Sequence, residues 1–563
     1  MGNDINADVV VIGSGAAGLS AAIVAARAGL DVVVLEKTRW LGGTTAFSAG
    51  GLWVPNNRHQ RESGIEDSPD KAMAYARALL GNLMETEKIE AYLATGPEMV
   101  DWFEANTDVA FFTNGSSDYE MGLPGATHGR TLVPPPFDGD LLGPDLARLR
   151  PALPQASVFG SMQVGYYGDI GHVLNAHRAW ASFRHTAGLV ARFVRDLVRH
   201  GRGARLANGN ALVGRLVASA RAAGVRLWTE APALSLVLEG GAVRGVVARR
   251  EGVETAVGAR HGVVLASGGF GANSDLRAKH IPLAAAGWSL QPEGSTGDGI
   301  AIGEAAGGIF RTDNAANGIW CPMSAMKGND GRMVPFPHLF LDRHCPGSLI
   351  VDPRGRRFIN ESTHYQNFGN TMIAEGIERC WLVADHRAQR RYGMGHAKPE
   401  PYPTAPFVRS GYLKKGRTLR ELAGEIGIDP ASLEATVAAF NAHAAHGEDP
   451  DFGRGQDVYS RGMGDPTHAP NPCLAPLLEA PFYAIEIRPG DLSSVCGLDT
   501  DARARVMGRD GSPIPGLYAA GLDANTVFRG TYPGGGASLG PAMTFGYIAA
   551  RDIAARAAAN AAT

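Results

Sequence analysis

The sequence has few cysteines and little net charge. Only five cysteines occur among 563 residues, they form no CxxC pair, and their odd number does not suit a disulfide framework. We therefore expect reduced thiols, no metal site and a cytoplasmic location. The 53 basic and 56 acidic residues give a formal net charge of -3, so no basic surplus indicates a nucleic-acid partner.

Long apolar runs are also missing. No segment reaches the ~18 uninterrupted apolar residues that a membrane-spanning helix needs. The first apolar run, ADVVVI at 7–12, leads into a glycine-rich turn and lacks the features of a signal peptide. Glycine is abundant at 74 residues, which in an α/β protein indicates tight turns and close approach of the backbone to a ligand. The length exceeds one compact core, so we expect at least two domains.

The first part of the chain alternates strand and helix patterns. The buried-strand pattern at 7–12 precedes helix-forming residues at 16–28, and a second buried strand, DVVVL, follows at 31–35. This strand–helix–strand order predicts a parallel sheet covered on both faces. Two later strand patterns, at 233–238 and 242–248, are separated by Glu-Gly-Gly, which predicts a hairpin.

The turn after the first strand carries a dinucleotide-binding pattern, G-x-G-x-x-G. Its three glycines permit a tight turn, close approach of a pyrophosphate and close packing of helix against strand. The pyrophosphate would bind amide groups at the helix N-terminus. A carboxylate at the end of the second strand can bind an adenosine ribose hydroxyl. The residues concerned are Gly13, Gly15, Ala16, Ala17, Gly18 and Glu36.

Other glycine-rich segments lack the spacing of that pattern. Gly268 and Gly269 follow a strand, and we expect a turn that packs near the nucleotide site. Asp298, in Thr-Gly-Asp-Gly, opens another helix, where it either caps the helix or binds a ribityl hydroxyl. A single dinucleotide pattern favours FAD alone, because an enzyme that uses both FAD and NADPH usually shows a second one.

A set of motifs spread over nearly the whole chain resembles the flavoprotein family that includes the flavoprotein subunits of fumarate reductase and succinate dehydrogenase. The motifs are GSGAAG, EK, GGTT, ASGGFGAN, TGDG and GLYAAG. The resemblance implies an α/β fold, with a Rossmann-like FAD-binding domain in two sequence pieces and an inserted α+β catalytic domain. We place the first piece at 1–312, with a helical insertion near 114–223, the catalytic domain at 313–489 and the second piece at 490–563. The FAD contacts implied beyond the N-terminal set are Lys37, Gly42, Gly43, Thr44, Thr45, Gly50, Gly51, Ser267, Gly268, Gly269, Asp298, Gly521, Ser538 and Leu539.

Three further motifs are similar to those of 3-ketosteroid Δ1-dehydrogenases within that family. They are TYPGGGASLGPAMTFG at 531–546, SDY at 117–119 followed by LPG at 123–125, and RFINESTHY at 357–365. The His-Gly and Asn-Arg-Leu-Gly-Gly patterns of the dicarboxylate enzymes are missing. The resemblance implies a catalytic set of Tyr119, Tyr365, Tyr532 and the backbone amide of Gly536.

The resemblance also implies a reaction, the 1,2-dehydrogenation of the A ring of a 3-ketosteroid in steroid degradation. The C3 carbonyl acidifies the C2 hydrogens, and the Tyr532 hydroxyl and the Gly536 amide would form an oxyanion hole for the charge that develops. Tyr365 would take the C2 proton. Since the reference pKa of tyrosine is about 10, Tyr365 must be tuned or linked to a proton relay, and we expect Tyr119 to hydrogen-bond it. Hydride would pass from C1 to the flavin N5.

Some residues depart from the pattern of the steroid enzymes and keep alternatives open. Glu120 stands where many members have a second tyrosine, and His364 and the pair Phe528-Arg529 are unusual. One alternative is a Δ4-dehydrogenase of 5-reduced 3-ketosteroids or another reductase of the fumarate reductase-like family. The other is a flavoprotein that binds a sterol without turning it over, against which the intact tyrosines argue.

The sequence also indicates how the cofactor is attached and which electron acceptor the protein uses. Related covalent enzymes attach FAD through a histidine in the stretch after the GG turn, and TTAFSAGG at 44–51 contains none, so we expect non-covalent FAD. Because only one dinucleotide pattern is present, we expect a quinone or an artificial dye, and not NADH, as the redox partner.

The segment at 184–205 predicts a basic amphipathic helix. It carries six arginines against one acid, Asp196, and its apolar residues recur at helical spacing. Such a helix can lie on an anionic membrane, here on the cytoplasmic face. The alternative is an ordinary helix that packs on its domain with the arginines in water. The arginines are Arg184, Arg192, Arg195, Arg199, Arg202 and Arg205.

Overall fold

The computed structural model describes residues 5–283, 287–328 and 330–562, which form two compact units. The first unit comprises Met1–His280, Gln291–Gly318 and Ser493–Thr563. The second comprises Ile281–Leu290 and Ile319–Leu492. The domain boundaries that we expect from the sequence, at 312/313 and 489/490, stay a prediction.

A parallel sheet forms the centre of the first unit, because residues 9–12 and 32–35 are short runs of valine, isoleucine and leucine that are buried on both faces. In this sheet Val10 lies opposite Val33 on one side and Val263 on the other. The predicted strand–helix–strand order is confirmed, with the helix at Ala16–Arg27. The five parallel strands, in pairing order, are Arg226–Trp228, Val32–Leu35, Ile5–Ile12, Val253–Leu265 and Pro513–Ala519.

The long Val253–Leu265 strand also extends the sheet in the antiparallel direction. Its first half pairs with Ala242–Arg250, which in turn pairs with Ala233–Glu239. Gly240 and Gly241 join these two strands with φ values of 58° and 79°, as a type I′ turn requires. The predicted hairpin is therefore confirmed.

Helices and short ribbons complete the first unit around the hydrophobic core of this sheet, and a smaller cluster lies at Met162, Val164 and Phe193. Between residues 180 and 222 the predicted helical insertion contains two helices, because Gly201 adopts a left-handed conformation (φ 68°) and ends the first. The helices are Ala16–Arg27, Arg58–Glu62, Pro69–Leu80, Thr86–Asn106, Asp169–Leu174, Trp180–His200, Asn208–Ala222, Ser274–His280, Asp298–Ala305 and Leu539–Ala562. The short strands are Leu52–Trp53, Phe112–Thr113, Thr131–Val133, Phe137–Asp138, Ser157–Val158, Met162–Gln163, Arg205–Leu206, Phe310–Arg311, Gly497–Leu498 and Arg505–Met507.

The second unit is built on a seven-stranded sheet with a hydrophobic core on each face. Successive residues of a strand point to opposite faces, so Leu349 and Val351 join one core and Ile350 joins the other. The main strands, in order, are Met333–Pro337, Gly318–Lys327, Phe482–Ser494, Cys380–Ala384 and Ser348–Val351, and Trp288–Ser289 and Lys414–Gly416 also pair with the third. The helices are Tyr365–Ala374, His386–Tyr392, Ala405–Arg409, Leu419–Ile426, Pro430–Ala444 and Val458–Met463.

Both units combine helices with sheets, so the predicted α/β class is confirmed. Parallel strands place the carboxyl ends of Ile5–Ile12 and Val32–Leu35 at one edge of the sheet, where ligands bind in such folds. Within the described ranges, we find no helix whose length and apolar character would let it cross a bilayer.

Candidate active site

The turn after the first strand is constrained in the way that a dinucleotide site requires. A Cβ added at Gly13 would lie 2.1 Å from the Ala266 carbonyl oxygen, and one at Gly18 would lie 2.0 Å from the Gly13 oxygen. At Gly15 the nearest atom to an added Cβ is Thr45 Oγ1, at 3.6 Å. The protein itself therefore demands glycine at the first and third positions. It leaves room at the second, where a pyrophosphate would approach.

Glu36 is buried at the end of the second strand and is held by neighbouring hydroxyls. The Ser14 hydroxyl donates to Glu36 Oε2 at 2.5 Å, and the Thr38 hydroxyl and amide each donate to Oε1 at 2.9 Å. These contacts orient the carboxylate at the carboxyl edge of the sheet. The sequence pattern identified Glu36 but not Ser14, which occupies a variable position of the glycine motif.

The Gly-Gly-Thr-Thr segment forms a tight turn beside this site. Gly42 and Gly43 have φ values of 114° and 49°, and Thr45 Oγ1 accepts a hydrogen bond from the Ala16 amide at 3.0 Å. The Thr44 hydroxyl is buried and has no hydrogen-bond partner among the described residues. Since buried hydroxyls are normally paired, this orphaned group fits a site for a polar ligand.

The next two predicted contacts, Gly50 and Gly51, serve packing between backbone segments. An added Cβ at Gly50 would lie 2.8 Å from the carbonyl carbon of Asn208. At Gly51 the Gly535 oxygen would be 3.8 Å away. Gly51 therefore lies against the C-terminal loop that carries the predicted oxyanion donors.

Lys37 and Asp298 contact each other. Lys37 Nζ lies 2.8 Å from Asp298 Oδ2 and also donates to the Thr296 hydroxyl. Asp298 is the first residue of the Asp298–Ala305 helix. A carboxylate at a helix N-terminus is stabilised by the helix dipole, so this ion pair ties the second strand to the later glycine-rich segment.

Asp523 completes the turn formed by Ser267, Gly268 and Gly269. Its fully buried carboxylate accepts hydrogen bonds from the Ser267 amide at 2.5 Å, the Ser267 hydroxyl at 3.0 Å and the Gly269 amide at 3.2 Å. Burial raises the pKa of Asp523, although these donors favour its ionised form. Sequence reasoning missed Asp523. The available signal was its place two residues after Gly521 in the GLYAAG segment.

The remaining predicted contacts are Gly521, Ser538 and Leu539, of which the last two lie at the start of the C-terminal helix. Ser538 and Gly521 line one small cavity together with Ala542 and Asn525. The Asn525 side-chain amide nitrogen is buried without a hydrogen-bond partner among the described residues. Leu539 is the first residue of the Leu539–Ala562 helix. The first unit therefore holds a second unsatisfied polar group near the predicted cofactor residues.

Two of the predicted tyrosines meet in the first unit. The ring centroids of Tyr119 and Tyr532 lie 5.8 Å apart. The Tyr119 amide donates to the Pro533 carbonyl at 2.9 Å, and its hydroxyl would lie 3.7 Å from a Cβ added at Gly535. The segment that contains SDY and the loop that contains TYPGGG are therefore in direct contact.

Gly536 is held in a conformation that only glycine accommodates well. Its φ is 94°, and an added Cβ would lie 2.4 Å from the carbonyl carbon of Gly51. Its carbonyl accepts from the Trp53 amide at 3.1 Å. The Gly536 N–H donates to no protein acceptor within the part of the chain that the structure describes. The amide is therefore available to the carbonyl oxygen of a ligand.

A buried ionic network supports the Tyr119 segment. Arg130 is almost fully buried and binds Asp118 at 2.8 Å and Asp67 at 2.7 Å, while Trp53 Nε1 donates to Asp118 at 2.7 Å. Burial raises the pKa of Asp118 to about 6, and Arg130 opposes this effect. Burial also raises the pKa of Asp67, but the effect of Arg130 is larger and holds that pKa below its ordinary value.

Tyr75 links the same segment to the C-terminal loop. Its hydroxyl donates to the Pro533 carbonyl at 2.8 Å and accepts from the Glu120 amide at 3.2 Å. Burial raises its pKa well above the ordinary value of tyrosine. Neither Tyr75 nor Arg130 was predicted, because each lies in a segment that carries no recognisable motif.

The pair Phe528-Arg529, unusual in the sequence, has a structural role. The Phe528 ring packs edge-on against Trp53, with centroids 5.4 Å apart. Arg529 is buried and donates to Glu85 at 2.8 Å and to the Asn314 side chain at 2.9 Å. The pair therefore anchors the start of the C-terminal loop.

Tyr365 belongs to the second unit, where it is buried as the first residue of the Tyr365–Ala374 helix. His364 caps this helix, because its Nδ1 accepts a hydrogen bond from the Asn367 amide at 3.2 Å. Arg343, also buried, donates to the Thr363 carbonyl at 2.8 Å. The segment before Tyr365 is therefore fixed by a cap and by a guanidinium, and His364 has a structural role.

A second ionic cluster holds the start of the RFINESTHY motif. Arg357 forms paired hydrogen bonds to Glu361 at 2.7 and 2.8 Å and to Asp449 at 2.7 and 2.8 Å. For Glu361, burial raises the pKa but Arg357 and Arg454 outweigh it, so the pKa lies below its ordinary value. Several residues of this motif therefore stabilise the backbone conformation of the segment that leads to Tyr365.

Comparison with known proteins places this geometry in context. The FAD binding domain family matches residues 8–539. A 4-oxocyclohex-2-ene-1-carboxylate 5-dehydrogenase of Sinomonas cyclohexanicum is 43% identical over 99% of this chain and 95% of its own length. A 3-oxosteroid 1-dehydrogenase of Mycolicibacterium smegmatis is 38% identical, with 98% of each chain covered. The crystal structure of 3-ketosteroid Δ1-dehydrogenase from Sterolibacterium denitrificans with 1,4-androstadiene-3,17-dione matches with a TM-score of 0.89 and 35% identity, over 98% of this chain and all of that one.

Proposed function

This chain belongs to the FAD-binding flavoprotein family of fumarate reductases and steroid dehydrogenases, and we propose that it catalyses the 1,2-dehydrogenation of the A ring of 3-ketosteroids. FAD is its cofactor, and it is an oxidoreductase that acts on a CH–CH bond. The glycine turn, Glu36 and the orphaned Thr44 hydroxyl fit this cofactor.

The arrangement of the C-terminal loop carries the proposal. Tyr532 lies beside Tyr119, with ring centroids 5.8 Å apart, and the nearby Gly536 amide has no protein acceptor among the described residues. A hydroxyl and a free amide on one loop suit a ring carbonyl, whose oxygen gains charge when a neighbouring carbon loses a proton. This is the chemistry that a 3-ketosteroid needs at C3.

We assign the proton steps as follows. Tyr532 and Gly536 donate hydrogen bonds to the carbonyl oxygen as negative charge develops on it. Tyr365 removes the C2 proton as general base. Tyr119 supports that base. When bound, FAD supplies the acceptor for the hydride that leaves C1.

A second candidate substrate is a smaller ring ketone that carries a carboxylate. The observation in its favour is the 43% identity to a relative that acts on 4-oxocyclohex-2-ene-1-carboxylate. The two reactions share removal of hydrogens next to a ring carbonyl, but a carboxylate also requires a cationic partner. Arg130, a cation that supports the Tyr119 segment, is already bound by Asp67 and Asp118. This pairing favours the neutral steroid.

Anaerobic reduction of the bound flavin tests the proposal. The purified holoenzyme is mixed with androst-4-ene-3,17-dione, a 5α-reduced 3-ketosteroid, 4-oxocyclohex-2-ene-1-carboxylate or NADH, and bleaching of the flavin absorbance is followed. We expect the first compound to bleach the flavin and to yield the 1,4-diene, with a quinone or a dye as acceptor in turnover. Bleaching by the carboxylate alone would assign the second substrate. Binding of steroid with spectral perturbation but no bleaching would indicate a steroid-binding flavoprotein without this activity.

A further inference from the structure

The Trp180–His200 helix exposes apolar side chains that globular helices usually bury. Trp180 is 75% exposed and Val198 is 85% exposed. At 3.6 residues per turn, Trp180, Phe183, Val194 and Val198 fall within a sector of about 60°. The exposed Ala187 and Ala191 lie between them on the same face. The helix therefore presents one continuous apolar stripe along its length.

A neighbouring hairpin enlarges this stripe. Phe159, in the turn between Ser157–Val158 and Met162–Gln163, is 68% exposed and stacks on Phe193 of the helix at 6.4 Å. Single exposed apolar side chains are normal on a protein surface, whereas contiguous groups of them mark interaction sites. Of the fourteen large apolar side chains that are exposed among the described residues, six lie in this patch: Phe159, Trp180, Phe183, Val194, Leu197 and Val198.

Arginines border the stripe, while the acid of the helix faces the protein. Arg184, Arg195 and Arg199 are exposed on one flank. Arg195 binds Asp196 at 2.9 Å and Arg199 lies 3.7 Å from Asp140, whereas Arg184 has no ion-pair partner among the described residues. Asp196 is buried, where it accepts hydrogen bonds from the Ala204 and Arg205 amides at 3.0 and 3.1 Å. The outer surface thus combines apolar side chains with positive charge.

Part of the arginine face that the sequence suggested as a membrane contact is engaged within the protein. Arg192 binds Asp138 at 2.6 Å, and Arg205 binds Asp169 at 2.8 Å. Arg202 donates to the Leu149 carbonyl at 3.1 Å. The apolar stripe, with the arginines on its flank, is therefore the stronger argument for an external partner.

We propose that the patch docks on an anionic lipid surface through Phe159, Trp180, Phe183, Val194, Leu197 and Val198. Helices of this kind lie in the interface, with their apolar side in the acyl boundary and cations at the headgroups. Trp180 would lie at the headgroup level, as indole rings do. A two-fold contact between two copies would bring the same arginine row together, whereas anionic lipid supplies complementary charge.

Cosedimentation of the holoenzyme with vesicles tests this proposal. Vesicles of phosphatidylcholine with phosphatidylglycerol are compared with vesicles of phosphatidylcholine alone, at low and high salt. We expect binding to the anionic vesicles, weakened by salt because the charges are exposed. Each arginine near an anionic surface contributes about fivefold to the partition coefficient. Arg184→Glu should therefore reduce binding at least that much, and Arg332→Glu, at an equally exposed site elsewhere, should not.

The apolar contribution has its own variant and control. Val198→Asp places a charge in the stripe without touching the core, so we expect at least about a tenfold loss of vesicle binding with turnover of soluble substrate unchanged. Val253→Asp, at a valine that is 65% exposed in another part of the first unit, should bind as the wild type does. Wild-type levels of binding by Val198→Asp, or equal binding to neutral vesicles, would overturn the proposal. So would an oligomer that Val198→Asp dissociates, in the absence of any vesicle binding.

Discussion

Three tyrosine hydroxyls carry the chemistry that we propose, and each has a different environment. Tyr532 is buried in the C-terminal loop, and Tyr119 is half-buried beside it. Tyr365 is buried at the start of a capped helix in the second unit. Because phenylalanine differs from tyrosine only by the hydroxyl, single substitutions can separate the three roles without opening cavities.

Tyr365→Phe should abolish most of the activity and leave the fold intact. The general base is lost, so we expect kcat to fall at least ~100-fold. Steroid should still perturb the flavin spectrum, because binding does not need that hydroxyl. The wild-type rate should rise above neutral pH, since the ionised fraction of a tyrosine base increases with pH. Tyr402→Phe, at an exposed tyrosine of the same unit, is the matched control. Near-normal turnover by Tyr365→Phe would remove this residue from the mechanism.

Tyr532→Phe should also slow turnover, by roughly 100-fold or more, because one of two donors to the carbonyl oxygen is lost. The effect should fall on kcat more than on substrate binding, since the hydrogen bond strengthens as charge develops. Tyr119→Phe should be milder, because that side chain supports the base without contacting the reacting carbons. Single-turnover flavin reduction measures both variants. A larger defect in Tyr119→Phe than in Tyr532→Phe would reverse these two assignments.

At the scale of structural elements, the C-terminal loop depends on close backbone contacts. Trp53 donates to the Gly536 carbonyl at 3.1 Å, and the Thr131 hydroxyl donates to the Gly535 carbonyl at 2.8 Å. A Cβ added at Gly534 would lie 2.5 Å from the Trp53 ring. The loop can therefore follow this path only because its glycines let it lie directly on the Leu52–Trp53 strand.

Gly536→Ala tests this dependence on backbone contact. The left-handed backbone alone costs of order 1–3 kcal/mol for alanine, and the overlap with Gly51 must also displace the amide. We expect a lower melting temperature and a loss of turnover larger than that of Tyr532→Phe. Gly511→Ala is the matched control, because Gly511 has a φ of 79° with no atom within 4 Å of an added Cβ. Equal effects of the two substitutions would show that the Gly51 contact does not matter.

A second prediction for the structural elements concerns the buried ionic network of Asp67, Asp118 and Arg130, which supports the segment that carries Tyr119. Arg130→Met would leave Asp67 and Asp118 buried without their cation, which typically costs about 3–5 kcal/mol in the free energy of unfolding. Urea denaturation measures it, with the exposed Arg332→Met as control.

The pH dependence of the Arg130→Met defect follows from the sign of the pKa shift. Burial already raises the pKa of Asp118 to about 6 in the native protein, and loss of Arg130 raises it further. An acid whose pKa is higher in the folded state stabilises the fold as pH falls through that value. The defect should therefore shrink as pH falls towards about 6, where Asp118 becomes protonated in both proteins, and shrink further on acidification as Asp67 becomes protonated in the variant. A defect that grows on acidification would contradict the network.

At the scale of the whole molecule, three distant parts of the chain build the nucleotide sheet. Ile5–Ile12, Val253–Leu265 and Pro513–Ala519 are neighbours in it. Asp523, just after the last of them, binds the turn at Ser267. The cofactor residues are therefore held together by the complete fold of the first unit.

FAD should be released when that fold is lost. The stretch at 44–51 has no histidine for a covalent bond, so acid precipitation should leave yellow flavin in the supernatant and a colourless protein pellet. Absorbance of the two fractions measures the outcome. Colour that stays with the pellet would show a covalent attachment through another residue.

Features that depend on neighbouring residues can be predicted from the amino-acid sequence alone. The G-x-G-x-x-G turn, the strand–helix–strand order and the hairpin at Gly240-Gly241 follow from backbone sterics and short-range hydrophobic patterns. The similarity of the TYPGGG and SDY motifs to known enzymes led to Tyr119 and Tyr532 before their contact was known. These motifs therefore allow individual site residues to be predicted from the sequence.

The residues that support those sites could be identified only from their proximity in the folded chain. Asp67 and Asp118 both form ion pairs with Arg130. Asp523 accepts a hydrogen bond from the amide of Ser267, which lies 256 positions earlier in the sequence. No local pattern marks such partners, because an ion pair or a buried hydrogen bond requires proximity in space and not a spacing along the chain. The same reason explains why the surroundings of the Trp180–His200 helix could not be predicted. The helical spacing of its apolar residues can be read from the sequence. The packing around the helix determines which arginines form ion pairs and which apolar side chains face solvent.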